Sequence, residues 1–320
     1  MHVPRVHPRV TILLALVACH AGAPQPAPPP ATPAAAASPP PAAQNPSPMV
    51  ERTRAHERVA ARQVPGIRDT IDGVLARPVQ LFMSPAVTRA TQVPLLVHFL
   101  GPAYIAEQAA AGARDDFVVA TVQLGAGSGA YDRPFRGTDR WVRLRAAIDS
   151  VVAAHAGRRL TIGPVYLSAF SAGNGAVRAI LADSAQAEGI AGILDLDGIH
   201  TSYVPEGRVA EQGGTLDPAN LEALLRYARR AVRGEARMVV THSEVFPGTF
   251  ASTTETANWL LDALGAARKP VLAWGPVGMQ QTSEARSGAF RVLGYAGNSA
   301  PDHLDHLHAL PALLRLLLEE

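Results

Sequence analysis

From about residue 50 onward, short unbroken apolar runs alternate with longer segments of helical pattern, and this alternation constrains the fold more than any other feature of the 320-residue chain. The runs are Pro78 to Met83, Pro94 to Phe99, Phe117 to Leu124, Val165 to Ala169, Ile190 to Leu196, Arg237 to Thr241, Val271 to Trp274 and Phe290 to Tyr295. A strand that is apolar at every position is covered on both faces, as in a parallel sheet between two layers of helices. Helical patterns lie over Thr138 to Ala156, Asn174 to Ala182, Pro218 to Arg233, Ser252 to Leu264 and Asp302 to Leu318. The fourth opens on Ser252-Thr253-Thr254-Glu255, a capping-box pattern. The order predicts an α/β fold: a doubly wound, mostly parallel sheet with helices on both faces. Such sheets place their chemistry just beyond the carboxyl ends of the strands.

The residues at those ends carry a nucleophile, acids and histidines. After Val165-Tyr166-Leu167-Ser168-Ala169-Phe170 comes Ser171-Ala172-Gly173-Asn174-Gly175 and then a helix. A serine on a tight strand-to-helix turn is pushed out of the sheet, and only small neighbours allow the bend. Backbone N–H groups at the start of the following helix favour developing negative charge. Ala169-Phe170-Ser171-Ala172-Gly173 resembles the nucleophile turn of the α/β-hydrolase superfamily, with Ala in place of its first Gly. The resemblance extends over roughly residues 75 to 318.

That resemblance implies a serine esterase or lipase-like activity through a Ser-His-acid triad, in the chain order Ser, acid, His. It implies no metal and no organic cofactor. The base is expected in Asn298-Ser299-Ala300-Pro301-Asp302-His303-Leu304-Asp305-His306, with His303 first and His306, one turn on, as the alternative. The acid is open between Asp197, which closes Gly192-Ile193-Leu194-Asp195-Leu196-Asp197, and Glu244, which follows the later strand. Asp302 is a more distant third, and Asp195 reads as structural. The oxyanion donors are expected at the Ala172 N–H and at Leu100 or Gly101, since Pro102 has no N–H to give. His98 reads as orienting that loop. His308 reads as a capping or surface residue. A zinc site from His303 and His306 with Asp302 or Asp305 would need a third ligand and an H-E-x-x-H pattern, neither of which is apparent. The segment Ile199 to Asn220 stands where the superfamily often inserts a cap, so it reads as a lid, a pocket wall or a plain loop.

The N-terminus carries a different signal. Arg5 and Arg9 precede the uncharged run Val10 to Ala18, too short to span a membrane, which ends at Cys19, the only cysteine. Leu16-Val17-Ala18-Cys19 resembles the bacterial lipobox. The expectation is therefore a signal peptide over residues 1–18 and a lipidated Cys19. A Pro/Ala-rich tether follows over 19–48, and the hydrolase-like domain over 49–320. Residues 20–48 hold eleven prolines and no charge, which favours extended conformations over packing. The implied location is a secreted, membrane-anchored lipoprotein in the periplasm, outer membrane or surface of a bacterium. The formal charge of +2 falls to zero once Arg5 and Arg9 are removed, so nothing suggests a nucleic-acid partner. The expected partners are a small-molecule or polymer ester and, through the anchor, a membrane. The competing expectations are a non-catalytic hydrolase-fold surface binder and a two-lobed solute-binding protein.

The anchor reading makes a direct prediction. Cys19→Ser releases the protein from the membrane fraction and removes acyl mass from the mature N-terminus. Unchanged partitioning with no acyl mass in the wild type would overturn it.

Overall fold

The computed structural model describes residues 55–319. The expected signal peptide, Cys19 and the Pro/Ala-rich tether lie outside the described residues. Among those described, no helix is long and apolar enough to cross a membrane.

The strands, in chain order, are β1 (Ile67–Ile71), β2 (Val79–Met83), β3 (Gln92–Phe99), β4 (Val118–Val122), β5 (Thr161–Phe170), β6 (Ile190–Leu196), β7 (Tyr203–Val204), β8 (Thr215–Leu216), β9 (Arg237–His242), β10 (Lys269–Trp274), β11 (Gln280–Ser287) and β12 (Phe290–Tyr295). All but β7 and β8 join one sheet in the order β1-β2-β4-β3-β5-β6-β9-β12-β11-β10. Its centre, from β4 to β12, is parallel. Both margins are antiparallel. The helices are α1 (Ala103–Ala113), α2 (Ser128–Phe135), α3 (Arg140–Ala156), α4 (Asn174–Leu181), α5 (Ser184–Glu188), α6 (Glu222–Val232), α7 (Thr253–Leu264), α8 (Ala300–His308) and α9 (Leu310–Leu318). This is the doubly wound, mostly parallel sheet with helices on both faces that the alternation predicts.

Strand alternation divides the interior into two cores. Leu95, Val97 and Phe99 of β3 join one core with residues of α2, α3, α4, α6 and α7. Leu96 between them joins the other, under α1 and α9, with Phe117, Tyr166, Leu194 and Leu314. Each central strand is therefore apolar over most of its length because each of its faces meets helices. Strand order reverses between β3, which neighbours β4, and β5 on its other side. A crevice opens at the carboxyl ends of two strands where the order reverses, and β5 ends at Ser171.

The sequence pattern misses the margins. β1 (IRDTI) and β11 (QQTSEARS) carry no apolar run, because antiparallel strands at a sheet's margin can face water. The helix expected over Asp302 to Leu318 is two helices that meet at Ala309. Pro311 sits in the first turn of α9; it has no N–H, and its ring would conflict with the Leu307 carbonyl of a continuous helix. Helices α1, α2 and α5 have no counterpart among the helical patterns read from the sequence.

Before β1, residues 55–64 run as a strap across α1 and α8. Val59 and Val64 pack against the second core. His56 Nδ1 lies 2.8 Å from Asp305 Oδ2, and Arg58 pairs with the same carboxylate. The Val59 N–H donates to His308 Nδ1 at 3.0 Å, so His308 is a tie to the strap and not a free surface residue. Arg62 donates to Gln108 on α1 at 2.7 Å.

Burial sets the cost of substitutions. Leu314 is 0% exposed in the second core, whereas Leu272 on the marginal strand β10 is 81% exposed. Leu314→Ala is expected to cost ~2–5 kcal/mol, and Leu272→Ala within ~0.5 kcal/mol, both read from denaturant unfolding. Equal losses at the two positions would contradict this division of core and margin.

Candidate active site

Among the described residues, three of the four non-glycine residues with left-handed backbone terminate adjacent central strands: Leu100 (φ 68°) after β3, Ser171 (φ 50°) after β5 and Asp197 (φ 51°) after β6. Such conformations cost on the order of 1–3 kcal/mol each and persist only where the surroundings enforce them. At Ser171 the enforcement is steric. A Cβ on Gly173 would lie 2.3 Å from the Phe99 carbonyl oxygen, and one on Gly198 would lie 2.7 Å from the Ser171 carbonyl oxygen. Both glycines let the turn sit hard against its neighbouring strands, which aims Ser171 out of the sheet.

His303 stands on the first turn of α8. Ser299 caps that helix, its hydroxyl accepting from the Asp302 N–H while the Asp302 carboxylate accepts from the Ser299 N–H. The reciprocal cap fixes the helix start, and it occupies Asp302 there. The His303 ring packs against Phe170, the residue before Ser171, with centroids 4.6 Å apart. Its Nδ1 lies 2.6 Å from Asp197 Oδ2, with the side chains 28% and 1% exposed. An ionised carboxylate only accepts, so Nδ1 carries the proton and Nε2 keeps the lone pair.

Asp197 is held from three further directions. The Ser243 N–H donates to it at 2.8 Å, the Ser243 hydroxyl at 2.6 Å and the Thr253 hydroxyl at 2.5 Å. Burial alone would raise its pKa. The His306 and His303 imidazoles and the Ser243 hydroxyl more than offset this and keep it well below the usual carboxylate range. Asp195, two residues earlier on the same strand, behaves oppositely. It is buried against the Asn174 amide and the Gly198 N–H, and burial pushes its carboxyl up to about 7. Two like residues pushed apart in this way have different work to do: the charged one can face an imidazole, the neutral one cements the strand ends.

Ser171, Ala172, Asp197 and His303 all line one cavity of about 760 Å³. The remaining positions named from sequence lie elsewhere. Glu244 ties its loop to Gly297, its N–H donating to the Gly297 carbonyl at 2.9 Å and its carboxylate accepting the Gly297 N–H at 3.3 Å. His306 is buried, paired with the Thr241 hydroxyl at 2.7 Å and edge-on to Tyr295. His98 is buried on β3, 2.7 Å from the Ser168 hydroxyl and bonded to the Leu100 backbone, and burial lowers its pKa to about 4.

The oxyanion expectation for Leu100 and Gly101 is corrected. The β3–β4 ladder runs one residue past β3, so the Leu100 N–H donates to the Val122 carbonyl at 3.0 Å. The Gly101 N–H donates to Gln123 Oε1 at 3.0 Å. Neither residue lines the cavity, whose wall beside Ala172 comes instead from Gly127, Ser128 and Gly129 at the start of α2. The segment Ile199 to Asn220 forms a cavity wall through His200, Thr201, Ser202 and Asn220. It is stiffened by the β7–β8 ribbon, and the Tyr203 hydroxyl donates to Glu255 at 2.8 Å. Ser243 and Thr253 went unnoticed in the sequence, although Ser243 directly follows the β9 run and Thr253 follows the capping serine.

No family model and no curated protein matches the chain. Solved structures resemble it at low identity. A thermostable esterase matches with 15% identity and a TM-score of 0.42, covering 79% of this chain and 62% of that one. An enterochelin esterase from Shigella flexneri matches with 15% identity and a TM-score of 0.47, covering 80% and 61%. An IroE-like serine hydrolase from Shewanella oneidensis matches with 10% identity and a TM-score of 0.42, covering 78% and 80%. The chain thus spans about three fifths of the length of the first two.

The contrast between the acids predicts a pH dependence. A carboxyl whose folded pKa is raised from 3.8 to about 7 binds more protons in the folded state across that interval. Its contribution to stability is therefore lost as pH rises from about 4 to 7. Asp195→Asn removes this loss, so the variant gains on the wild type over that window, by roughly 4 kcal/mol at most at ~1.4 kcal/mol per pH unit. Urea unfolding of both proteins at several pH values measures the difference, and parallel pH profiles would exclude a neutral Asp195.

Proposed function

We propose that the protein is a serine hydrolase of carboxylesterase type, acting through Ser171, His303 and Asp197. The observation that carries this reading is the 2.6 Å bond from His303 Nδ1 to a buried, charged Asp197, which leaves Nε2 basic beside the cavity that Ser171 lines. The Ser171 hydroxyl attacks the ester carbonyl while His303 Nε2 takes its proton. The imidazolium then donates that proton to the leaving alcohol as the C–O bond breaks. Water, deprotonated by the same nitrogen, releases the acid from the acyl-enzyme and restores the Ser171 hydroxyl. Asp197 holds the tautomer and stabilises the imidazolium. The developing oxyanion meets the Ala172 N–H at the elbow, with the N–H groups of the Gly127 to Gly129 turn as the second source, because the first N–H groups of a helix have no partner within it.

Ser171 lines a cavity of about 760 Å³ together with Asp197 and His303, which weighs for catalysis over a surface binder that never turns over. We further propose that the domain acts as a lipoprotein, moored through Cys19 and residues 19–48. That location suits esters presented at or near a bacterial envelope.

The test is mutational. Ser171→Ala and His303→Ala each lower kcat for an aryl ester by on the order of 10⁴-fold or more, since nucleophile and base act as one unit. Asp197→Asn costs roughly 10²–10⁴-fold, whereas Glu244→Gln changes kcat little; circular dichroism checks that each variant folds. A fluorophosphonate probe labels the wild type and not Ser171→Ala. Full activity in Ser171→Ala would end the hydrolase reading, and a steep loss in Glu244→Gln alone would move the acid.

A further inference from the structure

Arg178 is the only Lys or Arg among the described residues lining the cavity of Ser171. It lies on α4, seven residues after the serine, and lines the same cavity. Its side chain is only 12% exposed. A guanidinium that far from water needs an anion, and the one it touches is already committed. Asp132 takes both prongs of the Arg136 fork, at 2.7 and 2.6 Å, and reaches Arg178 by a single contact of 3.3 Å. Two guanidinium groups thus share one carboxylate. Among the described residues Arg178 Nε is buried without a hydrogen-bond partner.

The surroundings support an unneutralised charge. Burial pulls the Arg178 pKa down, with Arg136 adding to the effect and Asp132 and Asp217 opposing it. Arg178 also lowers the pKa of His200, whose main cause is burial, so its field is felt at a second cavity-lining ring. Much of the remaining lining is apolar, including Val245, Phe246, Pro247 and Phe250. In such a setting a guanidinium holds a carboxylate through charge-assisted bonds worth more than neutral ones.

We infer that Arg178 is a substrate-anion site, and that the preferred ester carries one carboxylate several bonds away from the scissile carbonyl. The inference rests on the esterase reading for its consequence and deepens it by naming a substrate class. A single cation in an apolar cavity suits a monoanion. Ser171, Arg178, Phe246 and Phe250 share one cavity, which suits a chain that lies across Phe246 and Phe250 with its ester at one end and its carboxylate at the other. His200 stands beside that path: its Nδ1 donates to the Gly198 carbonyl at 2.7 Å, which leaves Nε2 to accept.

The experiment uses matched pairs of p-nitrophenyl esters of adipic and suberic acid, with the far end either a free carboxylate or a methyl ester. A reversed set consists of butyrate esters of ω-hydroxy acids and of their methyl esters. In the full-length wild type, kcat/KM for the carboxylate member of one set exceeds its neutral partner by between roughly ten- and a hundredfold, carried by KM. Arg178→Gln collapses that ratio toward one, and Arg178→Lys retains part of it. A ratio within about threefold of unity in both sets of the wild type, or one that Arg178→Gln leaves intact, overturns the inference. A separate arm needs no turnover: calorimetry on Ser171→Ala with monomethyl suberate against dimethyl suberate. Tighter binding of the monoanion, lost in Ser171→Ala/Arg178→Gln, supports the site even if no ester is hydrolysed. Equal binding counts against it even if esters are turned over.

Discussion

The carboxylate of Asp197 is the point on which the cavity is hung. It ends β6, accepts from the residue after β9, accepts from the first residue of α7 and accepts from His303 on α8. Four elements distant in sequence are thereby fixed to one another at one charged atom pair. A buried charge is costly unless fully hydrogen-bonded, and here each added donor both lowers that cost and positions another element. Removing one donor would leave the charge less satisfied and its element less constrained, so geometry and electrostatics depend on the same contacts.

Strain and packing are arranged around that point. Ser171 and Asp197 both hold left-handed backbone, and Gly198 lies against Ser171, so the two strand ends support each other's unfavourable conformations. The neighbouring Asp195 holds its proton to higher pH because it is buried, against an amide and a backbone N–H instead of an imidazole. A two-residue displacement along one strand is enough to separate a charged group from a structural one.

Much of the architecture was legible because burial writes itself into local pattern. Central strands such as Leu95-Leu96-Val97 are apolar at every position since helices cover both faces, and the alternation of such runs with helices implies the sheet. The margins were not legible: β1 and β11 are polar, and a strand held by backbone pairing at a sheet's rim needs no apolar sequence. Ser171 and Asp197 were legible as positions at strand ends, and His303 as one where the last loop enters its helix, by order along the chain. The choice between Asp197 and Glu244 was not, because it turns on which loop meets α8, and Glu244 is drawn off by Gly297. The N–H groups of Leu100 and Gly101 looked available because sequence cannot reveal that a ladder extends one residue or that Gln123 reaches across. Arg178 was invisible for the same reason: its significance lies in Arg136 having claimed Asp132 first.

The strap at residues 55–64 gives the molecule a mechanical asymmetry. Its grips on α8 are directional: a hydrogen bond from His56 and an ion pair from Arg58, both to Asp305, and a backbone donor to His308. Asp305 is only two residues from His303. A pull applied at residue 55 would therefore load the helix that bears His303 before it reached the sheet, and the helix would take that load through contacts other than those that hold His303 to Asp197.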